Sequence, residues 1–183
     1  MHPSTTHLIV LPGGGYAVHA PHEAEPIVAW LSALGLSASV FRYPLQARHP
    51  EPLLALRAEI RRRREQGADR IGLIGFSAGG HLAGMAALAP FDDPRESVQF
   101  AVLCYAILRH TAEDLYVPPE HTYRPASALA AHEVPHTAHV FAHGPHSLGL
   151  AEGSSGDAAT WTELAASWIA EQVRGASVGG GLG

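Results

Sequence analysis

The stretch that decides the fold is residues 71–80, which read Ile-Gly-Leu-Ile-Gly-Phe-Ser-Ala-Gly-Gly. An apolar strand predicted at Arg70–Gly75 leads into a Gly-x-Ser-x-Gly turn, and apolar spacing predicts a helix at Ala78–Ala89. Small residues two positions before and after Ser77 let the strand and helix approach closely, which presents the hydroxyl at the carboxyl edge of a sheet. This context favours an activated serine nucleophile over the alternative, a serine that only caps a helix after a glycine-rich turn.

The composition is that of a globular protein with a single domain. Its 183 residues are 46% hydrophobic and 16% charged, and the formal net charge is −5. A chain with this charge offers no basic surface for nucleic acid or for an anionic membrane, so neither partner is expected. We predict one domain over residues 1–174 and a flexible glycine-rich tail over residues 175–183.

Nothing in the sequence indicates disulfides or targeting. The one cysteine, Cys104, lies in an apolar run and is interpreted as a buried small hydrophobic residue. Residues 1–7 lack the basic region and long apolar run of a signal peptide, and no segment approaches the length of a membrane span. The expected location is therefore cytoplasmic.

Strands and helices are predicted to alternate along the chain. The predicted strands are His7–Leu11, Ser37–Tyr43, Arg70–Gly75, Val98–Leu108 and Thr137–Ala142, and the predicted helices are Glu23–Leu34, Glu51–Gln66, Ala78–Ala89, Arg124–His132 and Thr160–Val173. This order predicts an α/β fold with a mostly parallel sheet of about five strands and helices on both faces. Helical spacing assigns Leu34, Leu88 and Leu164 to buried helix faces.

An acyl-transfer site needs a nucleophile, a base, a carboxylate that orients the base, and N–H donors for an oxyanion. Consecutive glycines in Pro12–Tyr16, which follows the first strand, can direct backbone N–H groups into a pocket together with the N–H of Ala78. One alternative for this glycine run is a plain tight turn. Another is a phosphate-binding loop, although no Gly-Lys-Ser/Thr or Gly-x-Gly-x-x-Gly pattern completes one.

The candidate base and acid follow the serine in the chain. His146 lies in the loop after the last predicted strand, where a base can reach Ser77, and His143 is its rival. Asp114 and Glu113 both lie after the strand at Val98–Leu108, and either carboxylate can accept the other imidazole N–H.

A metal site is a competing hypothesis for part of the histidine content. Five histidines are spaced three or four residues apart: His132, His136, His139, His143 and His146. On one helix they would converge, but Pro135 and the β-forming run 137–141 argue against a helix there. Without a matching acidic or cysteine partner, structural zinc or nickel binding is the weaker interpretation.

Several motifs in chain order resemble the α/β-hydrolase superfamily. They are Pro12–Tyr16, His22–Pro26 (His-Glu-Ala-Glu-Pro), Gly75–Gly80 with the following His-Leu-Ala, Asp-x-x-Val-Pro at Asp114–Pro118, and Gly144–Leu150. The match covers nearly the whole chain in order. They are most similar to the acetyl-xylan and feruloyl esterase-like branch, which is related to dienelactone hydrolase and to prolyl oligopeptidase catalytic domains. Dienelactone hydrolases have a cysteine where this chain has Ser77.

The resemblance implies a role for each member of the site. It implies Ser77 as nucleophile, His146 as base, Asp114 rather than Glu113 as orienting acid, and Gly14, Gly15 and Ala78 as oxyanion donors. The implied activity is hydrolysis of short-chain, acetyl-type esters on small molecules or carbohydrate, with no cofactor and no metal. Tyr16 and Tyr105 are candidates for the substrate pocket, and buried packing is the alternative for both.

The chain departs from the family pattern before the acid. Family members have two strands between the helix that follows the nucleophile and the acid, and a helix and a lid-like insert join these strands. In this chain Tyr105–Leu108 is followed directly by Arg109–Asp114. Either one strand serves both purposes or the sheet has lost a strand. A missing lid would leave an open pocket and apolar surface that a homodimer could cover. The shortening also motivates an alternative function, a catalytically impaired relic that binds a ligand or partner.

Overall fold

The computed structural model describes residues 5–106, 120–141, 146–153 and 157–175. The elements in these ranges are β1 (Thr6–Leu11), α1 (Glu25–Ala33), β2 (Ser37–Val40), α2 (Glu51–Glu65), β3 (Arg70–Phe76), α3 (Ala78–Leu88), β4 (Phe100–Cys104), α4 (Glu120–Ala131) and α5 (Trp161–Gly175), with 3-10 turns at Pro21–Glu23, Pro94–Glu96 and Asp157–Thr160. The alternation of strands and helices that the sequence predicts is therefore confirmed from β1 to α4.

The four described strands form one parallel sheet in the order β2-β1-β3-β4. Leu11 lies beside Gly75, and Phe76 lies beside Cys104, so the carboxyl ends of β1, β3 and β4 meet at one edge. The chain adds β2 on one side of β1 and β3 on the other. The loops after β1 and β3 therefore leave this edge in opposite directions, which is where ligand-binding crevices form in such sheets.

Helices cover both faces of the sheet, and each face has its own apolar core. Leu8 and Val10 of β1 pack on the side of α1 and α5, whereas Ile9 and Leu11 pack on the side of α2 and α3. Burial on both faces explains why β1 is apolar at successive positions instead of alternating with polar residues.

Proline and glycine delimit the first two helices. Pro26 and Pro52 lie in the first turns of α1 and α2, where a missing backbone N–H costs little. Gly35 and Gly67 follow the two helices with φ angles of +77° and +99°, a conformation that ends a helix readily in glycine. These signals explain why the sequence locates both helices to within two residues.

The predicted strand at Thr137–Ala142 is not formed over residues 137–141, and Ala142 lies outside the described residues. Val140 is 45% exposed. A β-forming run needs a neighbouring strand and a buried face to hold it extended, and composition alone does not supply either. The sheet has four strands in the described part of the chain, where about five are predicted.

Three leucines predicted to be buried are exposed. Leu34, Leu88 and Leu164 are 45%, 63% and 38% exposed. Leu34 and Leu88 lie at the C-terminal ends of α1 and α3, and Leu164 lies on the flank of the apolar stripe of α5. Periodicity marks a stripe along a helix, but it does not show how far the sheet beneath extends.

The C-terminal helix α5 extends to Gly175, the first residue of the predicted tail, and residues 176–183 lie outside the described residues. Within the described ranges, no helix combines the length and apolar character needed to cross a bilayer.

Candidate active site

Ser77 occupies a strained turn between β3 and α3. Its φ is +49° and its ψ is −114°, a backbone conformation that residues with side chains adopt only when the surroundings enforce it. The Ser77 N–H donates to the carbonyl of Cys104 at 3.0 Å, and the Ser77 carbonyl accepts from the N–H of His81 at 3.0 Å. The end of β4 and the first turn of α3 therefore hold the turn from both sides.

The glycines of the motif are required by close backbone contacts. A Cβ atom on Gly75 would lie 2.4 Å from the carbonyl oxygen of Gly79, and one on Gly79 would lie 2.1 Å from the carbonyl oxygen of Leu11. Both neighbours are backbone atoms, which cannot rotate away as a side chain can. The absence of side chains at these two positions lets α3 begin directly against the ends of β1 and β3.

The hydroxyl of Ser77 meets the imidazole of His146. Ser77 Oγ lies 3.0 Å from His146 Nε2, which is hydrogen-bonding distance for proton transfer to a base. With Nε2 accepting the hydroxyl proton, Nδ1 carries the ring proton and can donate it to a carboxylate. The fold thus brings together two side chains that are 69 residues apart.

The other residues considered as base and acid, His143, Asp114 and Glu113, lie outside the described residues. The choice of Asp114 as the orienting acid stays a prediction.

The glycine loop after β1 turns sharply beside the serine. Gly14 and Gly15 have φ angles of +119° and +63°, and a Cβ atom on Gly14 would lie 2.2 Å from the carbonyl oxygen of Val18. A Cβ atom on Gly13 would lie 3.0 Å from Ser77 Cβ. The loop therefore passes directly next to Ser77.

The first N–H groups of α3 lie at the same edge, and they have no partner within the helix. The assignment of Gly14, Gly15 and Ala78 as oxyanion donors stays a prediction.

Tyr16 contacts the first turn of α3 through its hydroxyl. Tyr16 Oη lies 2.8 Å from His81 Nδ1, and its ring packs against Tyr43 with the ring centroids 5.4 Å apart. Burial raises the pKa of Tyr16 to about 12, so the phenol is neutral at physiological pH.

Tyr105 lies beside the candidate base. Its hydroxyl donates to Glu23 Oε1 at 2.7 Å, and its ring packs edge-to-face with His146 with the centroids 5.1 Å apart. Burial, with the negative charge of Glu23 as a further cause, raises the pKa of Tyr105 far above its ordinary value. The Tyr105 hydroxyl is therefore a neutral donor with a partner inside the protein.

Sequence reasoning missed two buried polar residues beside the glycine loop. Glu23 is 0% exposed and accepts a hydrogen bond from the Gly13 N–H through Oε2 at 2.7 Å. Tyr43 is 1% exposed and donates to the carbonyl of Pro12 at 2.7 Å. For Glu23 a signal was available, since it lies in the His22–Pro26 motif. For Tyr43 the sequence offered no such signal, because the pattern predicts only that Tyr43 ends an apolar strand.

The histidines considered for metal binding do not form a site in the described residues. In residues 5–106, 120–141, 146–153 and 157–175, no three metal-binding side chains lie together. Cys104 is partly buried and packs against the core on the side of α1 and α5, whereas the sequence predicts a buried residue, and desolvation raises the pKa of its thiol.

Solved structures of hydrolases are similar to this chain throughout. An acetyl ester-xyloside bifunctional hydrolase from Caldicellulosiruptor lactoaceticus has 31% sequence identity and a TM-score of 0.80, with 93% of this chain and 84% of that chain covered. An α/β-hydrolase enzyme from a Medee basin deep-sea metagenome library has 27% identity and a TM-score of 0.79, over 93% and 85% of the two chains. A carboxylesterase from Lactobacillus plantarum has 25% identity and a TM-score of 0.76, over 92% and 86%.

Sequence comparison alone is less informative. No family model matches the chain. Endo-1,4-beta-xylanase B from Butyrivibrio fibrisolvens is 24% identical over 79% of this chain, and the chain spans 32% of that protein's length. The structural similarity at 31% identity extends over most of both chains. The strand β3, the turn at Ser77 and the helix α3 lie where the sequence motifs predict them. The chain therefore belongs to the α/β-hydrolase superfamily, alongside hydrolases and esterases.

Proposed function

We propose that this protein is a serine carboxylesterase that hydrolyses short-chain, acetyl-type esters through an acyl-enzyme. The observation that carries the proposal is the 3.0 Å contact between Ser77 Oγ and His146 Nε2 at a strained strand-to-helix turn. A serine hydroxyl is a weak nucleophile until a base accepts its proton, and this contact provides a base within reach.

Acylation uses Ser77 as nucleophile and His146 as general base. His146 Nε2 takes the hydroxyl proton as Ser77 Oγ attacks the ester carbonyl carbon, and the negative charge moves to the carbonyl oxygen. The N–H groups of Gly14, Gly15 and Ala78 stabilise that oxygen, and Asp114 orients the imidazole. The tetrahedral intermediate then collapses, the bond to the alcohol oxygen breaks, and the alcohol leaves with the proton held by His146.

Deacylation repeats these steps with water in place of the alcohol. His146 removes a proton from water, and the hydroxide attacks the acyl carbon bonded to Ser77 Oγ. Collapse of the second tetrahedral intermediate releases the carboxylic acid and returns the proton to Ser77. No group beyond those of the chain and water is needed to balance the reaction.

The substrate class is proposed from the neighbours and from the shortened segment that the sequence indicates between α3 and Asp114. The hydrolase from Caldicellulosiruptor lactoaceticus, at 31% identity, is described as acting on acetyl esters and xylosides, which supports an acetyl group on a small molecule or carbohydrate. The expected absence of a lid would leave the alcohol side open to a bulky sugar.

Replacement of Ser77 by alanine tests the mechanism. Ser77→Ala should lower turnover of p-nitrophenyl acetate by at least about 10³-fold, because it removes the nucleophile. Ser32, a serine exposed on α1, provides a matched control, and Ser32→Ala should leave turnover unchanged. Far-ultraviolet circular dichroism and thermal melting confirm that both variants fold.

Labelling with a fluorophosphonate separates an enzyme from a binding protein. The proposal requires that the probe attach to Ser77 and to no other residue of the folded protein. Unchanged turnover in Ser77→Ala would end the proposal. A wild-type protein with no turnover and no labelling would instead favour the catalytically impaired relic.

A further inference from the structure

We infer that Glu23 is a positioning residue that holds the glycine loop and the loop carrying His146 in register with each other. The inference rests on the proposed function, since it names what aligns the two halves of that site. Glu23 ends the 3-10 turn that precedes α1, and its side chain is 0% exposed. Burying a carboxyl group costs free energy unless hydrogen bonds replace water, so the partners of both oxygens indicate what the group does.

One oxygen of Glu23 fixes the start of the glycine loop. Oε2 accepts the N–H of Gly13 at 2.7 Å. The contact is close enough that a Cβ atom on Gly13 would lie 2.6 Å from this oxygen, and such an atom would also lie 3.0 Å from Ser77 Cβ. Glu23 therefore sets the backbone of the loop where it passes the serine, one residue before the predicted oxyanion donors.

The other oxygen of Glu23 reaches the loop of the base. Oε1 accepts from the Tyr105 hydroxyl at 2.7 Å, and the Tyr105 oxygen accepts the N–H of Gly149 at 3.2 Å. The Tyr105 ring lies edge-to-face with the imidazole of His146, 5.1 Å between centroids. Through this one tyrosine, Glu23 is connected both to the ring of the base and to the backbone three residues beyond it.

A second connection runs through His22. His22 Nε2 lies 3.5 Å from Glu23 Oε1 and 3.1 Å from the carbonyl oxygen of Ser147. The single Nε2–H that donates to Ser147 cannot also donate fully to Glu23, so His22 brings the loop carrying His146 next to this carboxylate without a second hydrogen bond to it. The hydrogen-bonded connection between Glu23 and this loop runs through Tyr105.

A carboxylate suits this position because it has two accepting oxygens and no donor. Its neighbours, the Gly13 N–H and the Tyr105 O–H, are both donors. Glutamine has the same shape but only one accepting oxygen, so it can satisfy one of these donors and not both. The link between the two loops should therefore weaken in Glu23→Gln while the fold is retained.

The effect on catalysis should fall on the chemical step. Oxyanion donors and a general base act mainly in the transition state, and an error of about 1 Å in their placement costs about 10²-fold in rate. Glu23→Gln should lower kcat for p-nitrophenyl acetate by about 10²-fold and change KM by less than about threefold. Glu25→Gln, at an exposed position two residues later, is the matched control and should keep wild-type kcat.

Tyr105→Phe tests the hydrogen-bonded connection between Glu23 and the loop that carries His146. It removes the hydroxyl that joins Glu23 to Gly149 and leaves the bond between Glu23 and Gly13 intact. It should lower kcat less than Glu23→Gln does. When the two changes are combined, the further loss from Tyr105→Phe should be smaller than its loss alone, because both act on one network.

Hydrogen exchange provides a readout that does not depend on activity. In Glu23→Gln the amides of Gly13 and Gly149 should both exchange at least about tenfold faster than in the wild type. In Tyr105→Phe only the Gly149 amide should do so, which keeps the test decisive if Glu23→Gln fails to fold. If the wild type shows no esterase activity, the proposed function fails while the exchange rates still decide the role of Glu23.

Wild-type kcat in folded Glu23→Gln would overturn the inference. Unchanged protection of Gly149 in Tyr105→Phe would overturn it as well.

Discussion

The Ser77 backbone adopts a positive-φ conformation that costs on the order of 1–3 kcal/mol for a residue with a side chain. The hydrogen bond to Cys104 and the start of α3 at Ala78 hold it there. The strain has a use, because it directs the hydroxyl out of the sheet edge toward His146. In the proposed mechanism, the reactivity of Ser77 therefore depends on backbone geometry as much as on the side chain.

The orienting acid can be identified by comparing two adjacent carboxylates. In the proposed mechanism His146 Nε2 faces Ser77, so the orienting acid binds Nδ1, and we expect Asp114 in this role because of the resemblance at Asp114–Pro118. Asp114→Asn should lower kcat for p-nitrophenyl acetate by about 10²–10⁴-fold, because the wrong imidazole tautomer is then favoured. The neighbouring Glu113→Gln serves as control and should change kcat less than about threefold. The reverse order of effects in a steady-state assay would contradict the assignment.

The contact between Ser77 and His146 could be predicted from the sequence because the place of each residue is fixed relative to an element. Ser77 lies between an apolar strand and a helix, and His146 lies in a late loop. Glu23 could not be given a role, because its hydrogen-bond partners Gly13 and Tyr105 are brought to it by the fold and not by local spacing. Local patterns predict where a chain turns, but not which buried donors meet across it.

At the scale of elements, β1 and β2 are joined by a contact between polar side chains. His7 of β1 lies 2.8 Å from the hydroxyls of Ser37 and Ser39 on β2 through its two ring nitrogens. Burial is the main reason that the pKa of His7 is lowered to about 4. The positive charges of Arg63 and Arg62 on α2 lower it further, and Glu59 opposes them.

The free energy of unfolding should decrease as the pH is lowered through the titration of His7. Its pKa drops from 6.5 unfolded to about 4 folded, so between these values the unfolded chain binds a proton that the folded protein does not. The loss begins below pH 6.5, is complete near pH 4, and totals about 3 kcal/mol if His7 acts alone. Urea unfolding at pH 7 and pH 4.5 should show a smaller difference for His7→Asn than for the wild type. His132 is exposed, so His132→Asn should keep the full difference between the two pH values. An equal difference in the free energy of unfolding in all three proteins would contradict this prediction.

The elements themselves were predicted where local signals agree. α2 has proline at its start, glycine after its end and an apolar stripe, and its predicted bounds are off by one residue. The run at 137–141 has β-forming residues and no other support, and it forms no strand. β2 is shorter than predicted because it pairs only over Ser37–Val40, and pairing is a property of two segments that neither one encodes alone.

For the whole molecule, the sheet is held between two layers, and α5 completes one of them late in the chain. Ile169 of α5 is 0% exposed and packs in the same core as Ile27 and Ile74. Trp161, at the start of α5, donates its indole N–H to the carbonyl of Gly149 at 3.0 Å. The same helix therefore closes the core and contacts the loop that follows His146.

Truncation of Ile169 should destabilise the whole molecule. Ile169→Ala should lower the free energy of unfolding by about 2–5 kcal/mol, because it leaves a cavity in a closed layer. Leu164→Ala on the same helix removes a side chain that is 38% exposed and should cost less than about 1 kcal/mol. Urea denaturation followed by circular dichroism measures both. Equal losses of stability would show that α5 does not bury Ile169 more deeply than Leu164.

The contact between His22 and Ser147 joins residues 125 positions apart, which has a consequence for biosynthesis. In the proposed mechanism, a ribosome that has made Ser77 must add 69 further residues before His146 exists, so the nascent chain carries the hydroxyl without its base. Products of translation that stop before residue 146 should therefore be inert toward esters.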